Sequence, residues 1–94
     1  MANAVCRLGD ECSGHGNFPP RVNDQGSPDV FVNNKGAHRQ GDHWVVHCSG
    51  DSCHDSALSA GAPSVFVNNM QLGRVGDPII CGSSVESGSP DVYA

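Results

Sequence analysis

The chain has 94 residues, 37% hydrophobic and only 5% aromatic, with 12 Gly, 6 Pro and a formal net charge of −5. That length implies one domain, residues 1–94, too small to bury a thick core without a staple such as a metal, disulfides or a partner. Five Lys and Arg scattered among ten Asp and Glu exclude nucleic acid and acidic lipid as ligands, and no apolar run approaches the ~20 residues of a membrane-spanning helix.

In chain order, Met1–Cys6 shows neither a basic nor an apolar leader region, so no signal peptide is expected. Arg7-Leu8-Gly9-Asp10 follows, then a weak extended piece at Cys12-Ser13-Gly14. Val30-Phe31-Val32 is β-branched and aromatic and runs into Asn33-Asn34. Asn tolerates positive φ, so this pair predicts a tight hairpin turn. The chain returns through Ala37-His38-Arg39 to Gly41-Asp42 and enters a second extended piece, Trp44-Val45-Val46. Asp55–Ala60 is the nearest thing to a helix, and it is too short. Val65-Phe66-Val67, Asn68-Asn69 and Arg74-Val75-Gly76-Asp77 then repeat the first hairpin, followed by Pro78-Ile79-Ile80.

The repetition organises the chain. Residues 26–42 and 61–77 agree at 10 of 17 positions at a constant offset of 35, where about one match is expected by chance from average residue usage. The chain opens on the second half of the unit, Arg7–Asp10, and closes on its first half, Gly88-Ser89-Pro90-Asp91-Val92-Tyr93. Joining the ends completes a third copy, which predicts three quasi-equivalent hairpins around an axis, burying their Val and Phe side chains together. Asp10, Asp42 and Asp77 are expected to accept backbone N–H bonds at their turns.

Five Cys, an odd number, with five His read better as metal chemistry than as a disulfide framework. His15 and His47 each lie five residues after a repeat Asp, and Cys81 lies four after the third. Three equivalent loops thus offer one soft or borderline donor each, and a fourth from the long second loop would complete the tetrahedron that structural zinc prefers. The spacing leaves the fourth open between Cys53 and His54, since adjacent strand residues point to opposite faces; Cys48 beside His47 meets the same objection. A Cys48–Cys53 disulfide is a further alternative. His38 and His43 have no counterparts in the other repeats and are read as surface or hairpin residues.

Catalysis is not expected. Gly50-Asp51-Ser52 lacks the following glycines of a nucleophile turn, and the consecutive Cys53-His54-Asp55 cannot form a triad. Four protein ligands would also leave zinc no open position.

Gly26-Ser27-Pro28, Gly61-Ala62-Pro63 and Gly88-Ser89-Pro90, each leading into a Val-aromatic strand, with the Arg-x-Gly-Asp segments and the His/Cys loops, resemble the PAAR-repeat family over essentially the whole chain. The resemblance implies an all-β, small conical fold of short β-hairpins with pseudo-three-fold symmetry and irregular loops at a metal-bound apex. It implies one zinc, preferred over iron, held by His15, His47, His54 and Cys81. Cys53, which precedes His54, departs from the pattern and would compete for the metal; Ala62 in place of Ser is a minor departure. The implied function is a non-enzymatic sharp tip, one copy capping a trimeric β-helical spike protein and assisting puncture of the target envelope, with transient contact with the membrane. The Ser-Gly-His-Gly and His-Arg-Gln-Gly-Asp segments look closest to phage baseplate central-spike tips, implying a place in the virion's tail baseplate. The alternative is assembly in the cytoplasm and export by type VI secretion, as an adaptor carrying noncovalent cargo. With the chain stopping at Ala94, no fused effector is expected. A third reading is a free-standing zinc module.

Overall fold

The Arg-x-Gly-Asp segments fold alike three times. In each, the Arg carbonyl accepts from the Asp N–H, at 3.0, 2.9 and 3.0 Å for Arg7–Asp10, Arg39–Asp42 and Arg74–Asp77. The glycines between them, Gly9, Gly41 and Gly76, take φ of +89, +89 and +93°, as the third position of a type II turn requires. The Asp carboxylate accepts the Arg backbone N–H, as the sequence predicts, and also the guanidinium N–H of the same residue. These ion pairs are an addition that the sequence reading did not make.

The structure, a computed structural model, describes residues 2–94, and among them there is no helix. β1 (Phe31–Val32) pairs with β2 (Lys35–Gly36), and β5 (Phe66–Val67) with β6 (Met70–Gln71), both antiparallel. The Asn pairs between them have φ of 54, 65, 52 and 67°, the primed turn expected from Asn-Asn. The third hairpin is built from the chain's two ends. Ala4 bridges Tyr93 as Gly36 bridges Phe31, and Asn3 and Ala94 exchange N–H···O bonds of 2.9 Å.

The three units close on themselves. Leu8, Gln40 and Val75 each donate a backbone N–H to the next unit, to the carbonyls of Gly36, Gln71 and Ala4, all at 2.8 Å. Nearer the axis, Cys6 donates to Gly73, Gly73 to His38 and His38 back to Cys6, at 2.8, 2.8 and 3.0 Å. This cycle of three backbone hydrogen bonds closes around the pseudo-three-fold axis. Gly73 fits closely there: a Cβ would stand 2.9 Å from Leu58 Cδ2 and 3.1 Å from the His38 carbonyl oxygen, so a larger residue would have to displace the Leu58 side chain.

Two cores result. Under the hairpins, Val5, Ala37 and Leu72 occupy equivalent positions and pack with the equivalent set Val32, Val67 and Ala94. Under the loops, Cys6, Cys12, Trp44, Leu58, Ile79 and Val85 form a second cluster, in which Cys12, Trp44 and Ile79 each lie two residues after a repeat Asp and so occupy equivalent positions filled by side chains of different size.

Two expectations are corrected. The hairpins do not bury their aromatic residues: Phe31, Phe66 and Tyr93 are 60, 58 and 56% exposed. Side chains alternate along a strand, and the inward position falls to Val32, Val67 and Ala94. His38 is no surface residue but fully buried on the axis, edge-on to Trp44 at 5.1 Å. Its Nδ1 donates to the Gln25 carbonyl at 2.8 Å, and burial holds the ring below the usual imidazole pKa, so it stays neutral. His43 does lie at the surface, between Asp24 and Asp55.

The long second loop is a hairpin of its own. β3 (His43–Ser49) pairs with β4 (Ser52–Ala57) across a Gly50-Asp51 turn with Gly50 at φ +60°. Trp44 faces Ser56 and His47 faces His54, so two residues, Val45 and Val46, oppose Asp55 alone. This is a β-bulge. Without it, Trp44 and His47, three apart, would face opposite sides of the ribbon; with it both turn inward and are buried. Cys48 and Cys53, the next pair along, form a disulfide between exposed positions.

Candidate metal centre

Three loops meet where the sequence placed its donors. His15 sits in a two-residue hairpin: it donates its backbone N–H to the Phe18 carbonyl (3.1 Å) and accepts the Phe18 N–H (2.8 Å). Gly16, at φ +53°, supplies the positive φ that such a turn needs at its first central position. His47 and His54 come from β3 and β4 as a cross-strand pair. Cys81 lies in the turn closed by the Gly82 N–H on the Ile79 carbonyl at 2.9 Å.

The donor atoms of His15, His47, His54 and Cys81 all lie within 4.8 Å of one another. The three Nε2 atoms form a triangle with sides of 3.1 Å (His15–His47), 3.0 Å (His15–His54) and 2.8 Å (His47–His54). Hydrogen bonds alone cannot satisfy this arrangement. His47 Nδ1 lies 2.8 Å from the Pro19 carbonyl, which only accepts, so its neutral ring keeps the proton on Nδ1 and presents a lone pair at Nε2. One N–H points at one partner, and a triangle of ring nitrogens leaves lone pairs facing each other. A cation resolves this. Tetrahedral zinc, with Zn–N of about 2.0 Å, sets its nitrogens roughly 3.3 Å apart, so the observed triangle is slightly tight but of the right size. The donor set therefore fits a closed, four-coordinate ion.

Electrostatics favour the same state. Burial alone would raise the Cys81 pKa, but the Ser83 backbone N–H, the Arg21 guanidinium and the Ser83 and Ser56 hydroxyls outweigh it and hold the thiol at about 5. Cys81 is thus ready as a thiolate, the form that binds metal.

The structure separates Cys53 from His54. His54 enters the cluster, while Cys53 bonds Cys48. The adjacent-residue argument explains it: His47 and His54 share the inner face of the ribbon, and the cysteines share the outer one. The disulfide that the sequence weighed only as an alternative is present.

Sequence reasoning missed two neighbours. Phe18 lies against all three imidazoles, its ring centroid 4.7 Å from His15, 4.9 Å from His47 and 4.4 Å from His54. The His15-Gly16-Asn17-Phe18 turn was the available signal, because a two-residue loop sets its flanking residues side by side. Arg21 is 7% exposed and reaches Cys81 Sγ at 3.5 Å. It has no counterpart in the repeats, so no pattern pointed to it.

A three-fold arrangement of short hairpins, joined to loops that gather three imidazoles and a thiol, defines a small all-β domain with four donors placed where they could hold a metal ion. A family model described as "PAAR motif" matches residues 14–87, and the chain belongs to that family. Its members are spike-tip proteins of contractile injection and type VI secretion machinery, and its motifs bind metal. Comparison with curated proteins finds no match.

Proposed function

We propose that this protein is the metal-pinned point of a contractile injection machine, one copy capping a trimeric β-helical spike, and that His15, His47, His54 and Cys81 hold one zinc ion. The observation that carries the docking half is the equivalence of three exposed apolar pairs. Val30 and Phe31 are 39 and 60% exposed, Val65 and Phe66 38 and 58%, and Val92 and Tyr93 38 and 56%. Each pair occupies the same position in its unit. Solvent exposure of large apolar side chains at matched positions marks an interaction surface, and a three-fold repeat of it suits a partner with three identical chains. A single pseudo-symmetric copy can then cap a true trimer.

The metal half follows from the size of the cores. Little apolar surface ties the loops together, and an ion joining His15, the β3–β4 hairpin and Cys81 would crosslink all three. Metal binding coupled to folding contributes on the order of 10 kcal/mol in small zinc domains. A point so pinned resists unfolding when sheath contraction drives it against an envelope. The phage tail baseplate is the setting we favour, on the resemblance of the Ser13-Gly14-His15-Gly16 and His38–Asp42 segments.

Co-purification with a trimeric β-helical spike fragment, read by native mass spectrometry, tests the reading. One tip per trimer is expected, and Asp replacing Phe31, Phe66 and Tyr93 together should abolish it while leaving the metal in place. Three tips per trimer, or no binding to any such fragment, would overturn it. Elemental analysis of protein purified without chelator should give one zinc per chain; less than about half an equivalent would overturn the metal half.

A further inference from the structure

Arg21 is the exception among the arginines. Arg7, Arg39 and Arg74 each pair with an Asp three residues on. Arg21 is as buried as Arg7 and Arg39, yet among the described residues no carboxylate lies within ion-pair distance of it. Its guanidinium instead makes three directed contacts. Nε donates to the Val45 carbonyl at 2.8 Å, Nη1 to Cys12 Sγ at 3.1 Å and Nη2 to Cys81 Sγ at 3.5 Å. Its Cζ also stands 5.7 Å from the Trp44 ring centroid.

A buried cation without a counter-charge is strongly destabilising. One carbonyl is poor compensation, whereas a Cys81 thiolate fixed by a metal is an anion held in place beside the guanidinium. We propose that Arg21 is the positioning residue of the metal centre. Its fork is anchored on Cys12 and Val45, and its free arm donates an N–H to the Cys81 sulfur, orienting that sulfur toward the three imidazoles and balancing the thiolate's charge.

The anchoring is specific. Cys12 is fully buried and accepts, besides Nη1, the backbone N–H groups of Gly14 and Arg21, both at 3.4 Å. The Val45 carbonyl belongs to the β-bulge that turns His47 inward. One side chain thereby ties the strand carrying His47, the loop leading to His15 and the turn carrying Cys81. Lysine could not replace it, because a single ammonium cannot serve a carbonyl and two sulfurs in a fixed planar fork. Partners of this kind around a metal are typically worth 10- to 100-fold in affinity.

This inference rests on the metal reading, and Co(II) separates the two. The full chain is loaded with Co(II), and the thiolate-to-cobalt charge-transfer band is recorded beside the tetrahedral ligand-field bands. Affinity is measured by competition with a chromophoric chelator. For Arg21→Gln we expect roughly 10- to 100-fold weaker binding and a displaced charge-transfer band, with the tetrahedral bands kept. Arg21→Lys, which preserves the charge and guards against misfolding of the Gln variant, should give a smaller displacement and only partial recovery of affinity. A band and affinity unchanged in the Lys variant, or in a folded Gln variant, would overturn the role of Arg21 and leave the metal centre standing. If the unaltered protein gives no thiolate-to-cobalt band, the metal reading itself fails and the inference falls with it.

Discussion

His47 and His54 face each other across the β3–β4 ribbon with their Nε2 atoms 2.8 Å apart, one rung from the Cys48–Cys53 disulfide. Half of the proposed ligand set is thus fixed by a single hairpin, whose outer face is crosslinked by cysteines and whose inner face presents imidazoles. Whatever holds the two strands in register also holds the two ligands at binding distance.

Reduction of that disulfide, or its replacement by two serines, should therefore weaken metal binding rather than abolish it. The loop it closes is short, with five residues of separation, and chain entropy alone makes it worth about 2 kcal/mol. We expect metal affinity to fall by about tenfold, within the usual range for coupled sites. Linkage requires the reciprocal effect: bound metal should lower the fraction of the disulfide reduced at a given dithiol concentration. Thiol titration with and without zinc measures this, and equal reduction in both would show that the hairpin is set without the disulfide.

Single substitutions should sort the two adjacent candidates. His54→Ala removes one of the four converging donors and should lose most of the metal. Cys53→Ala frees Cys48 and loosens the strand ends but leaves all four donors, so it should retain close to one equivalent. Elemental analysis after gel filtration decides between them. Metal lost only from the Cys53 variant would reverse the assignment.

How much of this was legible in the sequence depended on the range of the interaction. The Asn-Asn and Arg-x-Gly-Asp turns were readable because positive φ and local side-chain bonds are properties of a few consecutive residues. The donors His15, His47 and Cys81 were readable because the repeat converts spacing into position. The β3–β4 hairpin was not, because Ser52-Cys53-His54-Asp55-Ser56 has little intrinsic strand preference and is held by pairing and by the disulfide. The direction of Phe31 and Phe66 was not either: Val-Phe-Val alternates the same way whichever face is buried. His38 was misread because its burial comes from the ring of backbone bonds with Cys6 and Gly73, which exists only once three units have closed.

Phe18 should govern how fast metal leaves. Its ring lies against the imidazoles of His15, His47 and His54, with centroids 4.4–4.9 Å away. Phe18→Ala removes up to three aromatic contacts worth about 0.5–1.5 kcal/mol each. The variant should bind metal with the same ligands but release it to excess chelator about tenfold faster. An unchanged release rate would place the ring outside the exchange path.

His43 should make stability depend on pH. It donates to Asp55 at 2.8 Å and to Asp24 by its other nitrogen at 2.6 Å, and these carboxylates, Asp55 first, raise its pKa above the ordinary 6.5. A raised folded pKa means that the folded state binds the proton more tightly. The resulting stability is fully present below pH 6.5 and is lost as pH rises through the folded value. The site is solvent-exposed, so the contribution is modest. Comparing melting temperatures of the protein and of His43→Gln between pH 5.5 and 9 should show a gap at the acid end that closes at the alkaline end.

The three Arg–Asp turns should not be equally important, despite their shared geometry. Side-chain exposure is 9 and 3% for Arg39 and Asp42, 11 and 6% for Arg7 and Asp10, and 20 and 10% for Arg74 and Asp77. Arg39 and Arg7 are further held by Asn68 and Asn33, at 2.9 and 3.1 Å; Arg74 has no such bond among the described residues. Removing one partner of a buried pair leaves an uncompensated charge and costs about 3–5 kcal/mol, far more than breaking a solvated one. Asp42→Ala and Asp10→Ala should therefore approach that loss, and both also strip the acceptor from the preceding Arg backbone N–H. Asp77→Ala should cost roughly half as much or less, because water reaches its guanidinium. Urea unfolding of the three variants gives the ranking. Equal losses would mean that the turn itself, common to all three, carries the stability and that the burial of the ion pair adds nothing.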